Sequence, residues 1–450
     1  MNFGFKLPDL FNRPGASPAK ADAQADARAL RAESDALANA VATFLSKTGL
    51  FDREAYARAY PDVAKSNLDP LHHYVRFGIH GGRNFTSEET IARLWREVLR
   101  GDDYKKALAE THRTPAVSDP ARYRVGVYVS SKGNFFMNEI AALIAAGLQE
   151  AGAEARVLDE NAGPKSDLTH SIVVAPHEFF VLGVGRRWAT DDFVSRAVIF
   201  STEQVQTQWF ARSLPFLLRA RLVADLNLQS TSILQRAGIK SICVQPGFSE
   251  RFTAFAAPKD MSGHVAFAGY GSAVRNHDTS KPRFADRPLD VAFMGSSSPR
   301  REAWLASYAP TFAKLQSFIY CTHTNAPLSP EENPPASTDV TAAILARSKM
   351  LLNIHRDEYA YFEWWRIMQA FWMKTVVVSE PCFPHPVFKP GVHFFEEAPR
   401  HIADLVHWLA TTPEGQAKAE EVRSRAYETL VGEASAKSAA LHLLSALEAA

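Results

Sequence analysis

Cysteine is scarce in this chain: three residues, Cys243, Cys321 and Cys382, in 450. They lie far apart and fit neither a disulfide framework nor the paired spacing of a zinc site, so a reducing cytoplasm is the expected compartment. Charge of one sign is lacking too. Fifty basic residues against 49 acidic ones leave a formal net charge of +1. That argues against a nucleic-acid partner, which usually calls for a basic surplus or stripe. No apolar run approaches the ~20 residues that a membrane helix requires. The opening MNFGFKLPDLFNRPG has no long apolar core followed by a small-residue cleavage site, so it is not read as a secretion signal. Its Phe3, Phe5, Leu7, Leu10 and Phe11 suit a docking strip, or a peripheral dip into a membrane surface.

Apolar residues are plentiful: 46% of the chain, with 29 Phe. At this length they suffice for two or three domains. Residues 1–35 read as a flexible, Ala-rich tail and 36–114 as a helical accessory unit. Within that unit, Leu37, Val41 and Leu45 recur at fourfold spacing, and Asp52 is placed to cap the helix that follows. Pro61 and Pro70 punctuate it, and Gly78, Gly81 and Gly82 mark its end. For His72, His73 and His80 a metal site is the sharp reading. A structural His73 beside two solvated neighbours is the stronger one.

The texture then changes. RVGVYVSS (124–131), ARVLDE (155–160), SIVVAP (171–176), AVIFSTE (197–203), RLVADLN (221–227) and ICVQPG (242–247) alternate with helical stretches such as 135–152. Continuous Val and Ile runs separated by helices predict a parallel sheet covered on both faces. The pattern restarts at PLDVAFMGSSS (288–298) and continues through QSFIYCTH, KMLLNIH and KTVVVSE to HFFEEA. The expected fold class is α/β, with two Rossmann-like domains facing a cleft behind a small helical domain. The boundaries are 122–255 for the first domain, 256–287 for an irregular bridge that leaves room for a hairpin, 288–410 for the second domain, and 411–450 for C-terminal helices.

In an open parallel sheet, ligands bind beyond the carboxyl ends of the strands. That selects Ser130–Asn134, His177, Glu178, Glu203, Gln204 and Asn227 in the first domain. In the second it selects Gly295–Arg301, His323, His355–Glu358 and Ser379–Glu380. SSKGNF (130–135) lacks the GxGxxG fingerprint, which leaves a dinucleotide cofactor little support. MGSSSPRRE (294–302) is more telling. Gly295 and Ser296 permit close backbone approach, Pro299 suits a first helical turn, and Arg300 and Arg301 would flank an anion at that helix start. A capped helix with two solvated arginines is the plain alternative. In LLNIHRDEYAYFEWWRIMQAFWMKTVVVSEP (351–381), a helix over 362–372 hangs between two strands, so His355, Glu363 and Arg366 reach the same crevice. Glu363 and Arg366, three apart, are also spaced to pair with each other.

Residues 51–83 (FDREAYARAYPDV…DPLHHYVRFGIHGGR) resemble a short module attached to bacterial glycosyltransferases and cell-surface polysaccharide proteins. From about 124 to 430 the chain resembles nucleotide-sugar glycosyltransferases of the GT-B fold. Asp290–Arg301, Ala346–His355, Glu363–Ala370 and Val377–Glu380 carry the likeness in the second half. APHEFF (175–180), FSTEQ (200–204) and QPGFSERF (245–252) carry it in the first. The resemblance implies a donor held by the second domain through Gly295, Ser296, Arg300, Arg301, His355, Glu363 and Arg366. It implies an acceptor beside Asn134 and Asn227, with Glu203 or His177 as base if the reaction inverts.

Of these two, His177 has the better resting pKa and Glu203 the likelier family position. Many retaining relatives carry two glutamates seven residues apart in the helix region. Here Gln369 takes the second position and the first falls near Tyr361, which leaves the stereochemistry open. No DxD motif calls for Mg²⁺, so neither metal nor cofactor is expected beyond the nucleotide sugar itself. The acceptor is expected to be an envelope glycan, lipid or protein, with peripheral membrane contact conceivable through the Arg- and Trp-bearing segments 185–196 and 209–221. A nucleotide-sugar epimerase of the same fold, or a silent surface-assembly scaffold, are the competing readings.

Overall fold

The computed structural model describes residues 20–102, 104–105, 116–280, 283–323, 327 and 337–449. The apolar stretch Phe3–Phe11 lies outside them.

In the first domain, β1 (Arg124–Val129), β2 (Glu154–Asp159), β3 (His170–Val174), β4 (Val198–Ser201), β5 (Leu222–Asp225) and β6 (Ser241–Cys243) form a sheet in the order β2-β1-β3-β4-β5-β6. In the second, β7 (Leu289–Ser296), β8 (Ser317–Thr322), β9 (Ser348–Asn353), β10 (Val376–Ser379) and β11 (Phe395–Glu396) run β11-β10-β9-β7-β8. Every pairing between these strands is parallel. The central strands are buried end to end because helices cover both faces, which is why their sequences run apolar without alternation. The strand order reverses between β1 and β3, and again between β7 and β9. At such a switch point the two crossover helices leave on opposite faces and a crevice opens at the strand ends. The two Rossmann-like domains face each other across these crevices, the GT-B arrangement anticipated from the sequence.

The C-terminal helices are divided between the domains rather than forming a separate 411–450 unit. Helix Pro413–Gly432 packs on Trp364–Trp372 and Ile402–Thr411 of the second domain. The chain then crosses back, with the Ala436 amide donating to the Phe248 carbonyl at 2.8 Å, and helix Ala436–Glu448 lies on Phe135–Glu150 of the first domain. The crossing is tight. A Cβ on Gly247 would stand 1.7 Å from the Ala434 carbonyl oxygen, and one on Gly147 2.3 Å from that of Ala436.

The bridge contains short helical turns at Val265–Phe267, Ser272–Arg275 and Phe284–Asp286 and, among its described residues, no hairpin. Two buried arginines tie the bridge to the second domain: Arg347 donates to bridge carbonyls, and Arg287, at the bridge's end, donates to carbonyls of the second domain. Arg347 donates to the carbonyls of Val274 (2.9 Å), Pro258 (3.0 Å) and Lys259 (2.7 Å). Arg287 donates to those of Leu345 (3.0 Å), Ser348 (2.7 Å) and Met373 (2.6 Å).

The helical unit begins earlier than expected, with a helix over Lys20–Thr48 whose start falls within the stretch read as a flexible tail. Asp52 caps Arg53–Ala59 by accepting from the Ala55 amide at 2.9 Å. His73 is buried, its Nδ1 3.0 Å from the Tyr56 hydroxyl, whereas His72 and His80 are exposed. Its apolar side chains merge with those on one face of the first sheet into a single core.

Glu139, on helix Phe135–Glu150, is buried with neither carboxyl oxygen hydrogen-bonded, and burial pushes its pKa up to about 8. The folded state therefore keeps a proton that an unfolded Glu releases near pH ~4.3, so this group makes stability fall as pH rises from about 4 through about 8. Glu139→Met is expected to flatten that decline and to raise the melting temperature at pH 8, measured by thermal unfolding across the pH range.

Candidate active site

On the second-domain side, β7 ends at Gly295 and Ser296, and Ser298 caps the helix Pro299–Phe312 by accepting from the Arg301 amide at 3.2 Å. Pro299 occupies the first turn, where its missing N–H costs nothing. The Arg301 side chain turns back under the strand end. It donates to the carbonyls of Ile354 (2.9 Å) and Ser296 (2.9 Å) and reaches Glu363 at 3.3 Å. Arg366 pairs with the same carboxylate at 3.0 Å, so the helical pairing of Glu363 and Arg366 exists, with Arg301 as a third member. Both guanidinium groups converge on Gly295: a Cβ there would lie 3.1 Å from each. Burial pulls the Arg301 pKa down to about 10, with Arg366 adding repulsion. Burial alone would raise the pKa of Glu363, but Arg366 and Arg301 outweigh it and leave the carboxyl below its ordinary range. Glu363 is thus ionised at neutral pH.

Arg300 points elsewhere. It forms a two-pronged ion pair with the buried Glu380, and its Nε lies 2.7 Å from Glu358. Glu380 also accepts from the His355 amide at 2.8 Å. The His355 ring donates from Nε2 to the Pro381 carbonyl at 3.0 Å, while its buried Nδ1 has no partner. Arg300 and His355 therefore knit the loops after β9 and β10 together and stand beside the Gly295 cradle. His323 is exposed, 3.9 Å from Glu302.

On the first-domain side, the turn after β1 presents Asn134, whose backbone and side-chain amides both donate to Glu178. A Cβ at Gly133 would come within 2.1 Å of a Glu178 carboxylate oxygen, so a side chain there would displace that carboxylate. His177, next in the chain, lies 3.8 Å from Glu178 and 3.5 Å from Glu203. Burial lowers the His177 pKa to about 3, helped by Arg212, so the ring is neutral at physiological pH. Burial raises Glu203 to about 7, helped by the Glu178 charge, and raises Glu178 itself to about 7. The resting-pKa advantage expected for His177 is reversed. The desolvation that prevents the imidazole from charging is what brings the carboxyls into the range of a general base.

The domains touch directly at this level. The Tyr361 hydroxyl donates to the Asn227 Oδ1, the Trp364 Nε1 to the Pro246 carbonyl at 3.1 Å, and the His385 ring meets the Gln245 side chain at 2.9 Å. Asn227 keeps its buried Nδ2 unpaired. In the sequence Tyr361 is marked only as lying near the place of the first glutamate of the retaining pattern. Its role as the hydroxyl that joins the two sheets has no signal short of the fold. Segments 185–196 and 209–221 turn most of their aromatics inward: Trp188, Phe210 and Phe216 are buried. Among the described residues no group of three His, Cys, Asp or Glu side chains is disposed to hold a metal, and no helix is long and apolar enough to cross a membrane.

No family model matches the sequence, and no curated protein matches it. Several solved structures are similar to this chain. Anabaena Alr3699/HepE, solved in complex with UDP and glucose, is 11% identical with a TM-score of 0.47, over 73% of this chain and 100% of its own. An alpha-glucosyltransferase in complex with UDP and a 13-mer DNA is 9% identical with a TM-score of 0.46, over 72% and 99%. An alpha1,3-fucosyltransferase with GDP is 11% identical with a TM-score of 0.37, over 76% and 95%.

Glu178 and Glu203 each raise the cost of ionising the other, so they are expected to titrate as a coupled pair around neutral pH. In Glu178→Gln the Glu203 midpoint is expected to fall toward the ordinary carboxylate range, read from the side-chain carboxyl ¹³C shift. A midpoint that does not move would show that Glu203 is tuned by burial alone.

Proposed function

We propose that the protein transfers a sugar from a nucleotide-sugar donor to an acceptor hydroxyl in the cleft between its two Rossmann-like domains, without a metal ion. The observation that carries this reading is the cradle at Gly295. Two guanidinium groups meet at a strand end that lacks a side chain, at the switch point of the sheet, beside a helix start. A diphosphate fits this combination of space, cationic donors and switch-point position. Arg301, Arg366 and Glu363 together carry one net positive charge, which a diphosphate would more than balance. As the glycosidic bond breaks, negative charge grows on the leaving diphosphate, and fixed guanidinium donors in a desolvated cleft stabilise it most at that moment. Glu363, held ionised, accepts hydrogen bonds from ribose or sugar hydroxyls. Arg300 and His355 act one step back, fixing the loops that shape the donor pocket.

Across the cleft, Glu203 is the group matched to the acceptor. In an inverting transfer it takes the hydroxyl proton. In a retaining transfer the departing diphosphate takes the proton and Glu203 orients the hydroxyl. His177, neutral and buried, supports Glu203 rather than replacing it. Asn134 holds Glu178, and Asn227 offers its unpaired amide to the acceptor. A glycan, lipid or protein of the cell envelope as acceptor rests on the resemblance of residues 51–83 alone.

The test is slow hydrolysis of a panel of nucleotide sugars, with the anomer and nucleotide identified in the products. One or more donors are expected to release free sugar, and an epimerised nucleotide sugar would instead favour the isomerase reading. Arg366→Ala removes a charge-assisted contact and is expected to weaken UDP or GDP binding by about 10- to 100-fold. Gly295→Ala fills the cradle and should do the same while leaving the melting temperature nearly unchanged. If the wild-type chain takes up no nucleoside diphosphate and turns over no donor, the reading fails.

A further inference from the structure

Phe383 lies four residues past β10, in the second-domain loop that also carries Glu380 and His385, yet it is only 4% exposed. The helical unit covers it. Trp95, on helix Glu88–Arg100, meets its ring at 5.7 Å and 71°, and Tyr104 meets it at 5.6 Å and 86°, both edge-on. The Tyr104 hydroxyl donates to the neighbouring Pro384 carbonyl at 3.3 Å. This is a notch of two aromatics receiving a third from another domain.

The same unit is anchored on the first domain. Helix Glu88–Arg100 packs on Leu228–Arg236, where Glu97 and Arg236 approach to 3.5 Å, and Lys47 donates to the Ala237 carbonyl at 2.8 Å. Its glycine turn sits on the start of helix Gln208–Leu217. Gly82 has φ +64, and a Cβ there would lie 2.2 Å from the Gln208 side-chain oxygen. Arg212 of that helix donates to the Ile79 carbonyl at 3.4 Å and stacks over Trp209, whose indole lies 5.9 Å from the His177 ring. The unit therefore touches the acceptor-side helix at one end and the donor-side loop at the other.

We propose that the helical unit is a positioning element for the donor site: its Trp95–Tyr104 notch seats Phe383 and so fixes the loop 380–385 against the first domain. The loop matters because Glu380 holds both Arg300 and the His355 amide, so its placement sets the walls beside the Gly295 cradle. Misplacement of such a wall by an ångström costs about a hundredfold in well-fitted sites. In its nucleotide-binding part this inference rests on the donor reading above. The contact geometry does not.

The experiment uses the full chain with Trp95→Ala, Trp95→Phe and Tyr104→Phe. Hydrogen exchange is followed at the His355 and Cys382 amides, which are bonded to Glu380 and Glu396, and UDP and GDP binding is measured by calorimetry. Trp95→Ala is expected to speed exchange at both amides and to weaken nucleotide binding about tenfold or more. Trp95→Phe should restore both. Tyr104→Phe, which loses only the Pro384 bond, should give a smaller effect of the same kind and serves if Trp95→Ala does not fold. Faster exchange confined to residues 50–104 with unchanged nucleotide affinity would overturn the proposal, as would failure of Trp95→Phe to restore. If the wild-type chain binds neither nucleotide, the donor reading fails and the exchange data alone decide this one.

Discussion

Two like charges held side by side, Arg301 buried and Arg366 partly so, are the constraint around which the cleft is arranged. Arg301 and Arg366 repel each other, and burial disfavours Arg301 in its charged form. They coexist because Glu363 reaches both and because Arg301 spends its remaining donors on the Ile354 and Ser296 carbonyls. Removing one partner from such a cluster leaves a buried charge uncompensated, which is costlier than the pair is stabilising. The surrounding elements are placed to keep it intact. Pro299 and Ser298 start the helix that delivers Arg301, and the helix Trp364–Trp372 delivers Arg366 from the other side of β9.

The two faces of the cleft solve the problem of buried charge in opposite ways. The second domain pairs its charges: Arg301 and Arg366 with Glu363, Arg300 with Glu380 and Glu358. The first domain leaves its carboxyls short of cations, so Glu178, Glu203 and Asp225 all drift toward holding their protons. A face of paired charges thus meets one poised to exchange protons. In the proposed reaction an inverting transfer would draw on both environments, and a retaining one on the cationic donors alone.

Much of the frame could be read in the chain. Continuous Val and Ile runs located the strands, Pro299 marked a helix start, the rule of strand ends pointed to Gly295, Arg301 and Glu203, and the helix between two strands pointed to Glu363 before any geometry. Partners were less legible. Arg300 looked like a phosphate ligand beside Arg301, yet it is claimed by Glu380, 80 positions away. His177 looked like the better base from its free pKa, a property that burial inverts. Arg287 and Arg347 carried no motif at all, because binding backbone carbonyls leaves no pattern of side-chain types. Tyr361 and Phe383 carried no signal of their roles, and both are buried between domains. Position follows from local pattern, whereas pairing and burial depend on what the rest of the chain brings alongside.

The return of the C-terminal helix to the first domain has a mechanical consequence. The polypeptide passes between the domains twice, once just after Phe248 and once at Ala434 and Ser435, and the two passages are bonded to each other. With Gly247 pressed against the Ala434 carbonyl, neither strand can slide without the other. Displacing one half along this seam would have to break the Ala436–Phe248 bond or open the Gly247–Ala434 contact, so the chain's two passages act as a double rivet.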